Sequence, residues 1–227
     1  MTKVTDPGGQ VREIALGVDV MADIRELAET NRRLLDQHNV RMIDVMGSVG
    51  TGKTALIEQI VHSLKGTKRI VVLNGDLATT IDQDRILQHG VSAIQVNTGK
   101  ECHLDAALVR SVLDGLNLDD LDVIIVENVG NLICPADFPL GSHKRVVVIS
   151  VTEGPYVALK HPHVFAEMDY AIINKIDLAS IMEVDVSKLV RDLANVNPHM
   201  RIFQTSCRDG RGIQGLVIEL IGVTKHA

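Results

Sequence analysis

The chain has no tryptophan, two tyrosines and three phenylalanines among 227 residues. Proteins that hold single-stranded nucleic acid stack bases on aromatic rings, and this composition offers few. Basic runs are missing too: 23 Lys and Arg against 29 Asp and Glu leave a net charge of −6, which argues against a nucleic-acid backbone as main partner. No apolar stretch approaches the roughly 20 residues of a membrane-spanning helix, and the first residues lack the pattern of a secretory leader. The expected location is therefore the cytoplasm, with neither membrane nor nucleic acid as partner. Cysteine is scarce: Cys102, Cys134 and Cys207 cannot all pair within one chain, and in a reducing compartment they stay thiols, available to metal.

What is present is apolar residues in a regular order. They make up 45% of the chain, enough to build a sizeable core at this length. Residues 1–19 contain Asp6-Pro7-Gly8-Gly9 and no sustained period, which reads as a loose or partly ordered arm. Ile24, Leu27, Ala28, Leu34 and Leu35 then mark one stripe of a helix over 20–38. Beyond it, Val/Ile runs at 41–46, 69–74, 93–96, 122–126, 145–151, 169–174 and 201–204 alternate with amphipathic segments near 53–65, 79–89, 104–115, 184–195 and 212–222. Continuous apolar strands separated by helices predict an α/β fold, a doubly wound, mostly parallel sheet flanked by helices. The expected division is an N-terminal arm and helix, 1–38, before one domain, 39–227.

Gly47-Ser48-Val49-Gly50-Thr51-Gly52-Lys53-Thr54 follows the first of these strands and opens the next helix. Strand, glycine loop and helix is the setting a phosphate-binding loop needs. Glycines let successive N–H groups point at a phosphate, and the helix N-terminus adds partial positive charge. Lys53 is the residue to reach the β- and γ-phosphates, and the Thr54 hydroxyl is a ligand for Mg²⁺. In an open parallel sheet the remaining ligands come from the carboxyl ends of strands. Glu127 ends the strand at 122–126, three residues before Gly130, and is a candidate for holding Mg²⁺ or placing water. Most phosphate-loop GTPases carry Asp in that place. Asp76 and Asp82, after the strand at 69–74, either complete a Mg²⁺ shell or favour a helix start. The candidate catalytic set is Lys53, Asp76 and Glu127, and the Mg²⁺ set is Thr54, Asp76, Asp82 and Glu127.

Asn174-Lys175-Ile176-Asp177 follows the strand at 169–173 and matches the guanine-reading pattern of GTPases. The Asp177 carboxylate accepts from guanine N1–H and the 2-amino group, a donor pair adenine lacks. The Lys175 stem can lie over the base plane. Ser206 and Cys207, after the last strand, are placed to offer a backbone N–H to the guanine carbonyl. No Gln follows Gly130, where Asn131 stands, and no arginine is clearly placed to act in cis, although Arg85 is a candidate. Slow intrinsic hydrolysis is expected.

Cys102 and His103 precede the helix near 104–115, and Cys134 stands four residues after Gly130. Thiolate and imidazole suit Zn²⁺ and Ni²⁺. Read from the residues alone, these three are either metal ligands or, for Cys102 and Cys134, small buried hydrophobes and, for His103, a capping or surface residue. Neighbouring residues chelate poorly, so a second subunit could complete the shell. His161-Pro162-His163 reads as a surface loop rather than a metal pair.

With these residues in view, the chain resembles the hydrogenase nickel-incorporation GTPase family, HypB. The resemblance rests on the loop at 47–54, Asn-Thr-Gly-Lys-Glu-Cys-His at 97–103, Glu-Asn-Val-Gly-Asn-Leu-Ile-Cys-Pro-Ala at 127–136 and Asn-Lys-Ile-Asp-Leu at 174–178. It implies a homodimer formed with GTP, using GTP/GDP, Mg²⁺ and Ni²⁺ or Zn²⁺, that works with the zinc protein HypA on a hydrogenase large-subunit precursor. It also maps Cys102, His103 and Cys134 onto an interfacial metal site, and Asp76, Asp82 and Glu127 onto the acidic switch. Some members carry an N-terminal nickel site, whereas residues 1–20 here contain neither Cys nor His. The alternatives are a regulatory GTPase with structural thiols, a nickel chaperone for another enzyme such as urease, and an ATP-using small-molecule kinase.

Overall fold

The computed structural model describes residues 2–5, 11–14, 16–75, 85–98 and 102–222, with side chains from residue 21 onward. Seven strands form one sheet, and every neighbouring pair is parallel. They are β3 (Arg41–Gly47), β4 (Ile70–Asn74), β5 (Ser92–Gln95), β6 (Val123–Gly130), β7 (Lys144–Ser150), β8 (Tyr170–Asn174) and β9 (Arg201–Gln204). The order across the sheet is β5-β4-β6-β3-β7-β8-β9. The chain moves outward from β3 to β4 and β5, returns to β6 beside β3, and moves outward the other way from β7. The carboxyl ends of β3 and its two neighbours, β6 and β7, therefore border the crevice where ligands bind in such sheets.

The central strands are covered on both faces, which is why they read as apolar runs without alternation. On one face, α2 (Lys53–Leu64) and the last helix, Ile213–Ile221, bury Leu56, Ile60 and Leu216 against Val45 and Ile125. On the other, α1 (Leu16–Gln37) and α3 (Ala106–Leu113) pack Leu35, Val109 and Leu113 on Met42 and Ile124. Each fully buried Leu or Ile contributes about 1.5–3 kcal/mol. α1 is fastened by Asn31, whose buried carboxamide donates to the carbonyls of Ala106 (2.8 Å) and Leu140 (3.2 Å). Asp105 caps α3 by accepting from Leu108 N–H at 2.8 Å, a contact typically worth about 1 kcal/mol.

Two features add to or depart from the sequence expectation. The stretch read as a loose or partly ordered arm contains a two-stranded antiparallel sheet, β1 (Thr2–Thr5) and β2 (Val11–Ile14), in the register Thr2↔Ile14. β-Branched residues on each side of Pro7-Gly8-Gly9 are the hairpin signal that the lack of a longer period obscured. Pro162, taken as part of a surface loop, instead opens the short helix Pro162–Ala166, where its missing N–H costs nothing. Of the helix expected over 79–89, residues 85–87 are helical and 79–84 lie outside the described residues.

Candidate functional site

β3 ends at Gly47 and the loop turns straight into α2. Gly47 has φ +148°, and a Cβ there would lie 2.2 Å from the Val148 carbonyl oxygen on β7. Gly52 has φ +94°, and its Cβ would stand 2.5 Å from the Asn174 side-chain nitrogen. Glycine is therefore required at both by positive φ and by close approach. Lys53 is buried and donates to the carbonyls of Gly47 (3.1 Å) and Ser48 (3.3 Å), so its ammonium group lies across the mouth of the loop. Thr51 is fully buried, with its hydroxyl on Ser48 O at 3.0 Å. Val49 and Gly50 form the exposed tip.

The Thr54 hydroxyl donates to Glu127 Oε1 at 2.6 Å, joining the start of α2 to the end of β6. Glu127 is buried, and its carbonyl accepts from Gly75 N–H at 2.8 Å. Asp76 and Asp82 lie outside the described residues. Gly130 pairs with Gly47, which also forms an isolated antiparallel bridge to Asn131. Asn131, in the place where Ras-type GTPases carry a water-orienting Gln, turns its side-chain oxygen to the backbone N–H groups of Ile133 (2.9 Å) and Cys134 (3.4 Å). Arg85 is engaged elsewhere, in a two-point ion pair with Glu58 (3.0 and 2.6 Å).

The Asn174–Asp177 segment is fixed to the phosphate loop as well as facing the crevice. Asn174 is buried, donates to Thr51 O at 2.9 Å and accepts from the Thr205 hydroxyl (3.2 Å) and the Cys207 thiol (3.4 Å). Lys175, at φ +60°, spans the loop to Gly50 O at 2.6 Å. Its side chain therefore ties the end of β8 to the tip of the glycine loop. Asp177 accepts from the Ser206 hydroxyl at 2.8 Å, which leaves its second oxygen 3.9 Å from the Arg208 guanidinium. The sequence assigned Ser206 a backbone role only, and the side-chain bond to Asp177 is new. Burial pushes the Cys207 thiol up to about 11.

Cys102 is exposed, with its sulfur 3.8 Å from His103 Nδ1. The His103 ring stacks on Phe138, centroids 3.7 Å apart and planes at 23°. Phe138 follows α4 (Cys134–Asp137), a single turn opened by Cys134 and Pro135. The Cys102-His103 loop thus rests on the segment that carries Cys134. Among the described residues no three His, Cys, Asp or Glu side chains gather closely enough to enclose a metal within one chain. Among them, too, no helix is long and apolar enough to cross a membrane.

A family model described as the CobW/HypB/UreG nucleotide-binding domain matches residues 41–204. A probable hydrogenase maturation factor HypB of Methanocaldococcus jannaschii is 45% identical over 203 residues, 89% of this chain and 91% of that protein. Among solved structures, the hydrogenase maturation factor HypB from Archaeoglobus fulgidus superposes with a TM-score of 0.83 at 39% identity, covering 88% of this chain and 98% of that one. HypB from Helicobacter pylori in complex with nickel gives 0.82 at 31%, covering 90% and 99%.

Proposed function

The chain belongs to the HypB group of the CobW/HypB/UreG GTPases, and from that premise we propose that it is a nickel metallochaperone whose metal site is timed by GTP. The hydrogenase context comes from the relatives' names, and the nickel from the Helicobacter pylori protein, which was solved in complex with it. In this reading two copies close on each other with GTP bound and share a Ni²⁺ or Zn²⁺ site built from Cys102, His103 and Cys134. Hydrolysis separates them and releases the metal toward a hydrogenase large-subunit precursor, with a HypA-like zinc protein as second partner. The work belongs in the cytoplasm, where GTP is present and thiols remain reduced.

The observation that carries the coupling is the short route from phosphate loop to thiol. Gly47 bridges to Asn131, and the Asn131 side chain holds the N–H of Cys134. A shift of the loop end on nucleotide exchange reaches Cys134 through one intervening residue, Asn131.

Hydrolysis attacks the γ-phosphorus with water and leaves GDP and phosphate. Lys53 exchanges its loop carbonyls for phosphate oxygens and neutralises their charge. The donor set of Thr54 hydroxyl and Glu127 carboxylate, both hard oxygen groups 2.6 Å apart, fits Mg²⁺. Bound there, the ion would offset charge on the β- and γ-oxygens. With Asn131 bonded to the Ile133 and Cys134 N–H groups and Arg85 held by Glu58, neither aids the attacking water, so intrinsic turnover is slow. Asp177 selects guanine.

Ni²⁺ affinity and dimer mass, measured with GDP and with a non-hydrolysable GTP analogue, test this reading. Tighter Ni²⁺ binding and a dimer with the analogue are expected; equal affinity and mass in both states would overturn it. A regulatory GTPase with structural thiols fits less well, because Cys102 is exposed rather than packed in the core.

A further inference from the structure

Three buried or nearly buried polar residues on β6, β3 and β7 belong to neither the phosphate loop nor the base site. Asp44 stands in register with Val126 on one side and Arg145 on the other, and Asn128 follows Val126 by two, on the same face. Asn128 is fully buried; its amide nitrogen donates to Asp44 Oδ1 at 3.1 Å. Its oxygen accepts from the N–H groups of Leu104 (3.1 Å) and Val129 (3.0 Å). Leu104 is the residue after Cys102-His103. At the far end, the Arg145 guanidinium donates to the carbonyls of Pro135 (3.3 Å) and Ala136 (2.6 Å), inside the turn that Cys134 opens.

The middle of the row is held differently. Asp44 Oδ2 and Arg145 Nε are buried without a hydrogen-bond partner among the described residues. The link between them is attraction of opposite charges in a low-dielectric interior, strong but tolerant of small displacements. Leu104 packs so closely on Gly75 that a Cβ there would lie 2.7 Å from its side chain, and Gly75 in turn donates to the Glu127 carbonyl.

We propose that Asn128, Asp44 and Arg145 are positioning residues that move the two thiol-bearing segments together when the nucleotide changes. The inference rests on the nucleotide-gated reading above and names the side chains that carry it. Asn128 is peptide-bonded to Glu127, so displacement of the β6 end pulls Leu104, and through Asp44 and Arg145 also the Cys134 turn. Only a carboxamide suits the first position, since it must give to a carboxylate and accept from two amides. A carboxylate there would face Asp44 charge to charge, and an apolar side chain would strand buried partners.

Peptide-resolved alkylation of Cys102 and Cys134 by iodoacetamide, without metal, reads the positions of both thiols in the GDP and GTP-analogue states. Both rates depend on nucleotide in the unsubstituted protein. In Asn128→Ser and in Arg145→Lys that dependence shrinks roughly 3- to 10-fold at both thiols, including the one remote from the substitution. Loss confined to the nearer thiol overturns the proposal, as do retention at both or rates in the unsubstituted protein that ignore the nucleotide. Should one variant fail to fold, the other asks the same question from the opposite end. Ni²⁺ affinity measured in parallel separates the two readings: nucleotide-dependent thiols with nucleotide-independent Ni²⁺ affinity would remove the chaperone role and leave the row standing.

Discussion

Thr54 and Glu127 are joined by a hydroxyl-to-carboxylate bond of 2.6 Å across 73 residues of sequence. The residue that opens the helix after the phosphate loop is thus already aligned with the acid ending the neighbouring strand. Glu127→Gln keeps the size and an acceptor but removes the charge. It is expected to lower GTP hydrolysis by about 10- to 100-fold and to raise the Mg²⁺ concentration needed for half-maximal rate. Phosphate release followed across a Mg²⁺ titration checks this; an unaltered Mg²⁺ requirement would take Glu127 out of the metal shell.

Asp177 owes its orientation to Ser206, whose hydroxyl occupies one carboxylate oxygen at 2.8 Å. Asp177→Asn reverses donor and acceptor at one atom, so selectivity for GTP over xanthosine triphosphate falls on the order of 10³- to 10⁴-fold. Ser206→Ala leaves the charge but frees its direction, and guanine-nucleotide affinity drops about 10-fold, as for one hydrogen bond to a charged group. Competition binding with the two triphosphates distinguishes these effects, and an Asp177→Asn protein that still prefers GTP would exclude Asp177 from the base site.

The sheet was legible because each strand is a short Val/Ile run bounded by polar turns, and all seven strand segments expected from the sequence are found. Lys53, Thr54 and Asp177 stood out because their chemistry is tied to fixed spacing. Asp44 and Arg145 did not, since a charge inside an apolar strand reads locally as a flaw until the neighbouring strands are known. Their pairing across β3 and β7 is a fact of register, joining residues about 100 positions apart. Asn128 was visible only as part of a motif. That its side chain faces away from Glu127 follows from strand alternation, but Leu104 as its partner depends on how the preceding loop returns.

The three thiols differ in what surrounds them. Cys102 is exposed, whereas Cys207 is half-buried, donates to Asn174, and has its pKa pushed up to about 11 by desolvation. At pH 8 a thiol of that pKa is ionised to roughly one part in a thousand, and only the thiolate reacts. Iodoacetamide is therefore expected to label Cys102 first and Cys207 last in the folded protein. Mass spectrometry of timed digests gives the order, and labelling of Cys207 before Cys102 would contradict it.

Asp44 makes a pH-dependent contribution to stability. Burial raises its pKa from 3.8 to about 6, against the opposing pull of Arg145 and the Asn128 amide. Because the folded value lies above the unfolded one, the folded state holds the proton more tightly. The stability gained is complete below pH 3.8 and is lost as pH rises through about 6. The full span corresponds to about 3 kcal/mol, most of it falling between pH 4 and 6. Asp44→Asn removes the titration. Urea unfolding at pH 5 and pH 7.5 should show the stability difference between the two proteins shifting toward the unsubstituted one at the lower pH, by about 1–2 kcal/mol. A difference that does not change with pH would mean that Asp44 remains ionised throughout, with Arg145 offsetting the cost of its burial.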